Sequence, residues 1–424
     1  MNLIKELTTL VDDNVISQET AERIQEYYNS KKQSSTNRIY TIFALLGALL
    51  VGLGIILIIA HNWDHLTKNI KTVIAFLPLI LAQALCLFTL IRKNDNSVWR
   101  ESTAVLLVFA IGACISLISQ IYNIPGNLSS FLFTWALLVL PIIYLMRSSV
   151  TSLLYHIGIV AYAGSTCYWG TPNQEDYYYW LLLAGALPYY GMLLKNKPQS
   201  NFTSFHNWII PLSVITSLGT VVISHDSVIY IAYFSLFAVL LVIGNLNIFE
   251  QLKPINNSYR ILGSLGTVIL LLPLSFEWYW KELQREVFSA SQFFTSPEFI
   301  VAILLTVIAG IYTIKQIQNK KIQPHQFVFA LFILTYILGM YSYASIVIIN
   351  LIVFGLGLMI VWEGAKQNHL GILNYGMLIL IALVACRFFD TSISFIIRGA
   401  LFMIVGIGFF SANIWILKKR RNNE

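Results

Sequence analysis

Charge is what this chain has least of. Only 11% of its 424 residues are Asp, Glu, Lys or Arg, whereas 57% are hydrophobic. A soluble domain carries roughly 25% charged residues, so a fold of this length would lack the polar surface that water requires. The composition therefore excludes an ordinary soluble domain and indicates burial in a lipid bilayer.

The chain also lacks the alternation of apolar and polar residues that marks membrane-spanning β-strands. It contains instead continuous apolar runs, such as residues 39–60. Hydrocarbon offers no hydrogen-bond partners to a bare backbone, so such runs cross it as helices. We predict an all-α fold, a polytopic bundle of about 14 transmembrane helices.

Paired cysteines are missing as well. The four cysteines, Cys86, Cys114, Cys167 and Cys386, lie in or beside apolar runs, and none forms a C-x-x-C pair. We interpret them as small packing residues, and we expect no disulfide framework and no zinc site. The sequence has no cofactor motif and no large extramembrane module, which excludes a pump driven by its own nucleotide-binding domain.

The apolar segments follow one another with short connections. They define a polytopic domain over residues 39–417, preceded by a polar segment over 1–38 and followed by a basic tail over 418–424. The first run begins too far into the chain for a cleavable secretory signal, so we expect an uncleaved span. The predicted spans are 39–60, 70–91, 102–122, 128–146, 150–168, 177–194, 206–224, 228–246, 259–280, 298–316, 324–341, 344–363, 370–387 and 394–417.

Lysine and arginine are distributed unequally between the two sides of this bundle. With the amino terminus inside, the inner segments hold 20 of these residues and the outer segments hold 5. Cytoplasmic loops of membrane proteins carry such an excess. The distribution predicts a multi-pass protein of the cytoplasmic (inner) membrane with both termini in the cytoplasm. It also explains the net charge of +7 without nucleic acid as a partner.

The polar segment 1–38 is predicted to form a small cytoplasmic helical hairpin and a linker. Leu3, Leu7 and Leu10 recur at helical spacing, and Ser17 precedes Gln18-Glu19 as an N-cap residue does. Two interpretations stay open. The hairpin is either a solvated cap that helps to set topology or a docking site for a protein partner at residues 1–30.

Three stretches of the sequence are similar to a known family. The first is residues 10–21 together with His61-Asn62-Trp63-Asp64. The second begins with Gln120-Ile121-Tyr122-Asn123 and continues through Gly126-Asn127 and Trp135-Ala136-Leu137 to residues 144–148. The third is Arg387-Phe388-Phe389-Asp390 together with Arg398-Gly399. Together they resemble the predicted bacterial membrane proteins grouped as domain of unknown function 2157, best over 1–150 and again near 370–424. Relatives often carry Gly-Asp where this chain has Gly126-Asn127. The resemblance implies a bacterial inner-membrane protein and carries no particular activity.

Two polar motifs contain residue types that bind metals or catalyse reactions. His61, Asp64 and His65 are spaced like a helical metal pair, but a zinc site needs three or four ligands, so capping of the first span is favoured. Ser224-His225-Asp226 contains triad residue types, yet adjacent residues in a tight loop cannot adopt triad geometry with one another. We therefore predict no metal site and no catalytic residue.

Charged residues near the outer ends of spans are more informative, because each is costly in a membrane unless it is paired or hydrated. Arg387 and Asp390 end one span three residues apart, and Arg398 lies near the start of the next, with Asp64 and Glu277 at the same depth. One interpretation is structural: Arg398 snorkels or pairs with Asp390. The other is an outer-face polar pocket in which Arg387 and Arg398 receive a phosphate or carboxylate.

Uncharged polar residues also lie within the predicted spans. Gln83, His156 and Asn350 are three of them. Hydrogen bonds between helices explain such residues without a further role.

Three functions stay open. Many short-looped spans, several of them containing proline such as Pro273, suit a transporter or lipid-handling protein that binds an anionic lipid or solute. The alternative is a non-catalytic membrane scaffold or sensor that docks partners through the hairpin. An intramembrane enzyme ranks last, because nothing in the sequence fixes acid–base geometry. An enzymatic activity is therefore open but not favoured, and we expect no cofactor.

Overall fold

The structure is a computed structural model. It describes residues 67–168, 177–222, 227–250, 256–285, 290–318, 324–390 and 394–400, with parts of 11–24, 40–57 and 402–411. All regular elements among these residues are helices, which confirms the all-α class. Several residues of the sequence predictions lie outside the described part, namely His61, Asp64, His65, Ser224-His225-Asp226 and the tail 418–424.

Six of the described helices are long and apolar enough to cross a membrane. A seventh crossing is available if two further helices, bent by 76° at a short break, are counted as one span. The six are Lys68–Arg92, Ser97–Tyr122, Leu128–Met146, Pro297–Gln318, Ala344–Lys366 and Leu370–Phe389, and the bent pair is Ser258–Leu274 with Glu277–Arg285.

The chain divides into two compact units. The first comprises Met1–Thr171 and Tyr178–Asn196. A five-residue π-helical turn, Gly164–Tyr168, directly follows the helix that ends at Ala163. The main helices of this unit are α1 (Lys68–Arg92), α2 (Ser97–Tyr122), α3 (Leu128–Met146), α4 (Ser149–Ala163) and α5 (Tyr178–Asn196).

Polar caps fix where the helices of the first unit begin and end. The Asn127 side chain accepts from the Ser130 amide while the Ser130 hydroxyl accepts from the Asn127 amide, which is a capping box. At the start of the loop that joins α2 to α3, Asn123 has a φ of 49°, and the Ile124 amide donates to the Ser119 carbonyl at 2.9 Å. This is a Schellman ending with asparagine in the left-handed position. The short connection between α2 and α3 is thereby defined at both ends.

The second unit contains residues 197–424 and the short segment Pro172–Tyr177. Its packed centre includes Trp280, Phe332, Ile349 and Val353, all almost fully buried. Its main helices are α6 (Asn201–Ser217), α7 (Ile229–Gly244), α8 (Ser258–Leu274), α9 (Glu277–Arg285), α10 (Pro297–Gln318), α11 (Val328–Gly339), α12 (Ala344–Lys366) and α13 (Leu370–Phe389).

Glycines let α12 and α13 approach closely. A Cβ atom added to Gly364 would lie 2.3 Å from the Leu373 amide nitrogen, and one added to Gly376 would lie 2.6 Å from that of Val361. Small residues allow such backbone contact between membrane helices. The pair therefore depends on the absence of side chains at these positions.

Predicted spans and observed helices agree closely in position. All twelve predicted segments from 70–91 to 370–387 contain a helix, and 128–146 coincides with α3. The single span predicted over 259–280 differs, because it breaks after Leu274. Predicted spans 228–246 and 324–341 contain helices of only 16 and 12 residues. The count of fourteen crossings stays a prediction, since six or seven crossings are available among the described helices, and 39–60 and 394–417 lie partly outside the described residues.

The part of the N-terminal hairpin that the structure describes begins as its sequence predicts. Residues 18–24 are helical, and the Thr20 amide donates to the Ser17 hydroxyl at 3.3 Å. Ser17 is thus an N-cap. The other helix of the hairpin lies outside the described residues and stays a prediction.

Candidate functional site

The break between α8 and α9 is the centre of the candidate site. Pro273 has no amide hydrogen, and the helix ends one residue later. The Trp280 indole N–H, which is fully buried, donates to the Leu274 carbonyl at 2.8 Å. Irregular backbone at membrane depth persists only where protein groups or water satisfy it. Trp280 supplies that partner, so the packed interior of the protein stabilises the bend.

Ser275 joins three helices at this break. Its carbonyl accepts a hydrogen bond from Asn350 Nδ2 of α12 at 3.1 Å. Its hydroxyl accepts from Arg387 Nη2 of α13 at 2.9 Å and donates to the Leu272 carbonyl. Ser275 is fully buried. We call Ser275, Phe276, Asn350, Arg387 and Asp390 the Ser275 cluster.

Arg387 is the charged centre of the Ser275 cluster. Its Nη1 lies 2.5 Å from Asp390 Oδ2, and the two side chains are only 12% and 8% exposed. The guanidinium also lies over the Phe276 ring, 4.5 Å from its centroid. Arg387 and Asp390, three residues apart in the sequence, therefore form an ion pair that is largely shielded from solvent.

Two buried polar atoms of this cluster make no hydrogen bond. Among the residues that the structure describes, Arg387 Nε and Asn350 Oδ1 are buried without a partner. One is a donor and the other an acceptor, and both belong to side chains that hold Ser275. Because buried polar groups are nearly always satisfied, such atoms call for a ligand or a water molecule.

The other predicted site residues lie differently. Glu277 pairs with Lys281 on its own helix at 3.0 Å. Arg398 Nη1 donates to the Phe388 carbonyl at 3.1 Å, which anchors it next to the Arg387 turn. Asp64 is outside the described residues. The structure thus brings Arg387 and Asp390 together and connects Arg398 to the same turn of α13, while Glu277 bonds elsewhere.

A buried carboxylate in the first unit was missed by the sequence analysis. Glu101 is 5% exposed and accepts from the Ser149 and Val150 amides at 2.9 and 3.0 Å and from the Ser148 hydroxyl. These groups form the start of α4, so a side chain of α2 caps another helix. A glutamate beside an apolar run was the available signal, but its partners lie 47 to 49 residues away in the sequence.

The end of the first unit that contains Glu101 is also its basic end. Arg92 and Lys93 end α1, Arg147 follows α3, and Lys195 lies in the last turn of α5. Their side chains are exposed. Lys68 and Lys71 lie at the opposite end, where α1 begins. The distribution of charge within this unit follows the asymmetry that the sequence predicts between membrane sides.

A groove of about 1060 Å³ lies between α1, α2 and α3 of the first unit. One end of the groove is the loop from Asn123 to Asn127, and the other end reaches Gln83, Leu107 and Ile142. None of the described residues that line it is charged. Ligand sites typically have volumes of roughly 300–1,000 Å³, so the groove is large enough for a small molecule or a lipid chain.

The fold defines the class of the protein: a helical membrane protein with several apolar spans. Residues 8–152 match the family described as "Predicted membrane protein (DUF2157)", which confirms the predicted resemblance over this part of the chain. No curated protein and no solved structure matches the chain. The matched region contains the groove and Glu101, whereas the Ser275 cluster lies beyond it.

Proposed function

We propose that this protein is a transporter or lipid-handling protein that receives a phosphate or carboxylate group at Arg387. The observation that carries the proposal is the pair of unpartnered buried atoms, Arg387 Nε and Asn350 Oδ1, at a broken membrane helix. Broken helices with polar side chains at the break are typical of substrate sites in membrane transporters.

The chemistry of the site follows from the shape of the guanidinium. Arginine binds a carboxylate or phosphate through two parallel N–H groups. In the Ser275 cluster, Arg387 Nε makes no hydrogen bond, and Nη1 is paired with the Asp390 carboxylate. The parallel pair that includes Nε is Nε with Nη2, so an incoming anion gains Nε and takes or shares Nη2 with the Ser275 hydroxyl, in competition with Asp390 for the guanidinium. Asn350 Oδ1 can accept a hydrogen bond from a ligand hydroxyl. Because Ser275 holds Arg387 at the bend, exchange of the anion acts directly on the angle between α8 and α9.

The proposal includes a location and a topology. The protein crosses a bacterial inner membrane about fourteen times, with both termini in the cytoplasm and the pocket of Arg387, Asp390 and Arg398 open to the outer face. The sequence predicts Asp64 at the same depth, whereas Glu277 pairs with Lys281 on its own helix and is left outside the pocket. The basic end of the first unit supports this orientation, because cytoplasmic ends of spans are rich in Lys and Arg.

Flux in vesicles tests the function. The purified full chain is reconstituted into phosphatidylcholine liposomes, and two probes are followed: fluorescent phosphatidylglycerol, by dithionite access, and radiolabelled inorganic phosphate, by uptake. Movement of the lipid alone identifies lipid handling, and uptake of phosphate alone identifies solute transport. If neither probe exceeds the rate in protein-free vesicles while the protein remains folded, the proposal is wrong.

Arg387 variants locate the site. Arg387→Lys keeps the charge but loses the planar fork, and we expect a loss of flux of about tenfold, the value of one charged hydrogen bond. Arg285→Ala is the matched control, because Arg285 is an exposed arginine at the far end of α9. Equal flux in the Arg387→Lys variant and the unchanged protein would contradict the assignment.

A scaffold or sensor that docks a protein partner through residues 1–30 is the second candidate. The observation in its favour is the capped helix after Ser17, whose Glu19 and Arg23 side chains are 76% and 79% exposed. Deletion of residues 1–30 should then abolish partner recovery by crosslinking while membrane insertion is retained. Unchanged recovery would exclude this role.

A further inference from the structure

We propose that the groove of the first unit binds a membrane lipid whose polar head is uncharged. The groove lies between helices that are long and apolar enough to cross a membrane, so its surroundings are hydrocarbon. The proposal rests on the polar side chains that line it and does not depend on Arg387, which belongs to the other unit.

Polar side chains form a line along the groove. Ser116, Gln120 and Asn123 follow one another on α2 and its end at i, i+4 and i+7, which places them on one helix face. Gln83 of α1 lies deeper, because α1 and α2 are antiparallel: Thr72 bonds Tyr122 near one end of the pair and Cys86 bonds Thr103 near the other. At 1.5 Å per residue, this polar line is about 20 Å long.

These four side chains bond to no other described part of the chain. Their neighbours are engaged: the Ser119 hydroxyl donates to the Ile124 carbonyl, and the Thr134 hydroxyl donates to that of Ser130. An amide left without a partner in hydrocarbon is costly. Gln83, Ser116, Gln120 and Asn123 therefore keep donors and acceptors available for a molecule in the groove.

The charge of the lining selects the class of lipid. Within the part of the chain that the structure describes, no Lys, Arg, Asp or Glu lines the groove, so this lining offers no counter-ion to a phosphate or an amine. Amides and hydroxyls can form hydrogen bonds with the hydroxyl and ester groups of an uncharged lipid head. Apolar groups such as Phe76, Leu79 and Leu138 line the same groove and suit an acyl chain. A neutral lipid such as a diacylglycerol matches both features.

Photolabelling tests the inference. The full chain in phosphatidylcholine vesicles is irradiated with a diacylglycerol that carries a diazirine in one acyl chain, and the labelled peptides are mapped. We expect label within residues 76–83 and 107–142. Unlabelled diacylglycerol should compete about tenfold better than a phosphatidate with the same chains, because the phosphate enters a site without a counter-ion.

A pair of variants on α3 separates the groove from the rest of the surface. Thr134 lines the groove and Leu137 does not, yet both are exposed and lie less than one turn apart. Thr134→Trp fills the groove and should reduce labelling about fivefold or more, whereas Leu137→Trp should leave it unchanged. Arg387→Lys should also leave labelling unchanged, so failure of this proposal is distinguishable from failure of the proposed function.

Three outcomes would overturn the inference. The first is label spread over all exposed apolar faces, with no effect of Thr134→Trp. The second is equal competition by the phosphatidate. The third is that a photoreactive benzoylphenylalanine at position 120 crosslinks to residues 39–60 of the same chain, because the occupant would then be the protein's own first apolar segment. Each of these outcomes can be measured on the unmodified chain or on a variant at an exposed position.

Discussion

Both units bury a charged side chain where a helix begins or breaks, but they hold it differently. The carboxylate of Glu101 is bound by two backbone amides at the start of α4 and by a hydroxyl. The guanidinium of Arg387 is bound by two side-chain oxygens, and its Nε makes no hydrogen bond. Backbone donors are fixed by the helix itself, whereas side-chain partners can exchange. The first arrangement stabilises a fold, and the second leaves a donor unused at the site where we propose that an anion binds.

The largest effect is expected at Glu101. Glu101→Ala leaves the Ser149 and Val150 amides at the start of α4 without their acceptor, while the Ser148 N-cap remains. We expect a loss of about 3 kcal/mol in the free energy of unfolding. Denaturant titration in detergent micelles measures it, with the exposed Glu282→Ala as control. A loss no larger than that of the control would show that the carboxylate is not needed for folding.

The second effect concerns the glycine contact in the other unit. Gly376→Ala places a Cβ atom 2.6 Å from the Val361 amide nitrogen, so α12 and α13 must separate. The expected cost in unfolding free energy is about 2 kcal/mol. Gly310→Ala is the matched control, because nothing lies within 4 Å of its Cβ position. That control should be neutral or slightly stabilising, and equal effects of the two changes would refute close packing.

The third effect tests whether Arg387 can change partners. Asp390→Asn removes the competing carboxylate but keeps the shape of the side chain. We expect binding of inorganic phosphate to the detergent-solubilised protein to strengthen by about tenfold. Isothermal calorimetry at low salt measures this affinity, with Glu277→Gln as control, since Glu277 bonds Lys281. An unchanged or weaker affinity in the Asp390→Asn variant would mean that the ion pair is purely structural.

The smallest effect is expected at the surface of the first unit. Ser17→Ala removes the N-cap acceptor of the Thr20 amide. A lost cap costs about 1 kcal/mol of local helix stability, which corresponds to roughly fivefold faster amide exchange over residues 18–24. Hydrogen exchange with mass spectrometry on the full chain detects the change. Unaltered exchange would show that Ser17 does not set the helix start.

Features that depend on neighbouring residues were predictable from the sequence. The bounds of α3 follow from an asparagine cap before Leu128 and an arginine after Met146. The pair of Arg387 and Asp390 follows from i, i+3 spacing. In both cases the interacting groups are on one helix or its immediate end, so periodicity and spacing specify the geometry.

Features that depend on distant residues were not predictable. The end of α8 depends on Asn350, which lies 75 residues from its partner Ser275, as well as on the local Pro273. The sequence marked Pro273 as a candidate break but could not place a bend of 76° there. The polar line of the groove repeats at helical spacing on α2, but only the pairing of α1 with α2 adds Gln83 to it.

The interruption of α8 has an electrostatic consequence for Arg387. Aligned peptide dipoles give a helix C-terminus about half a unit of negative charge. Arg387 contacts Ser275, the residue after the end of α8, and lies in the last turn of α13. Two such negative ends therefore offset the cation from within the protein. A continuous helix through residue 275 would have no terminus there, so bending the helix creates part of the counter-charge that lets an arginine reside at this depth.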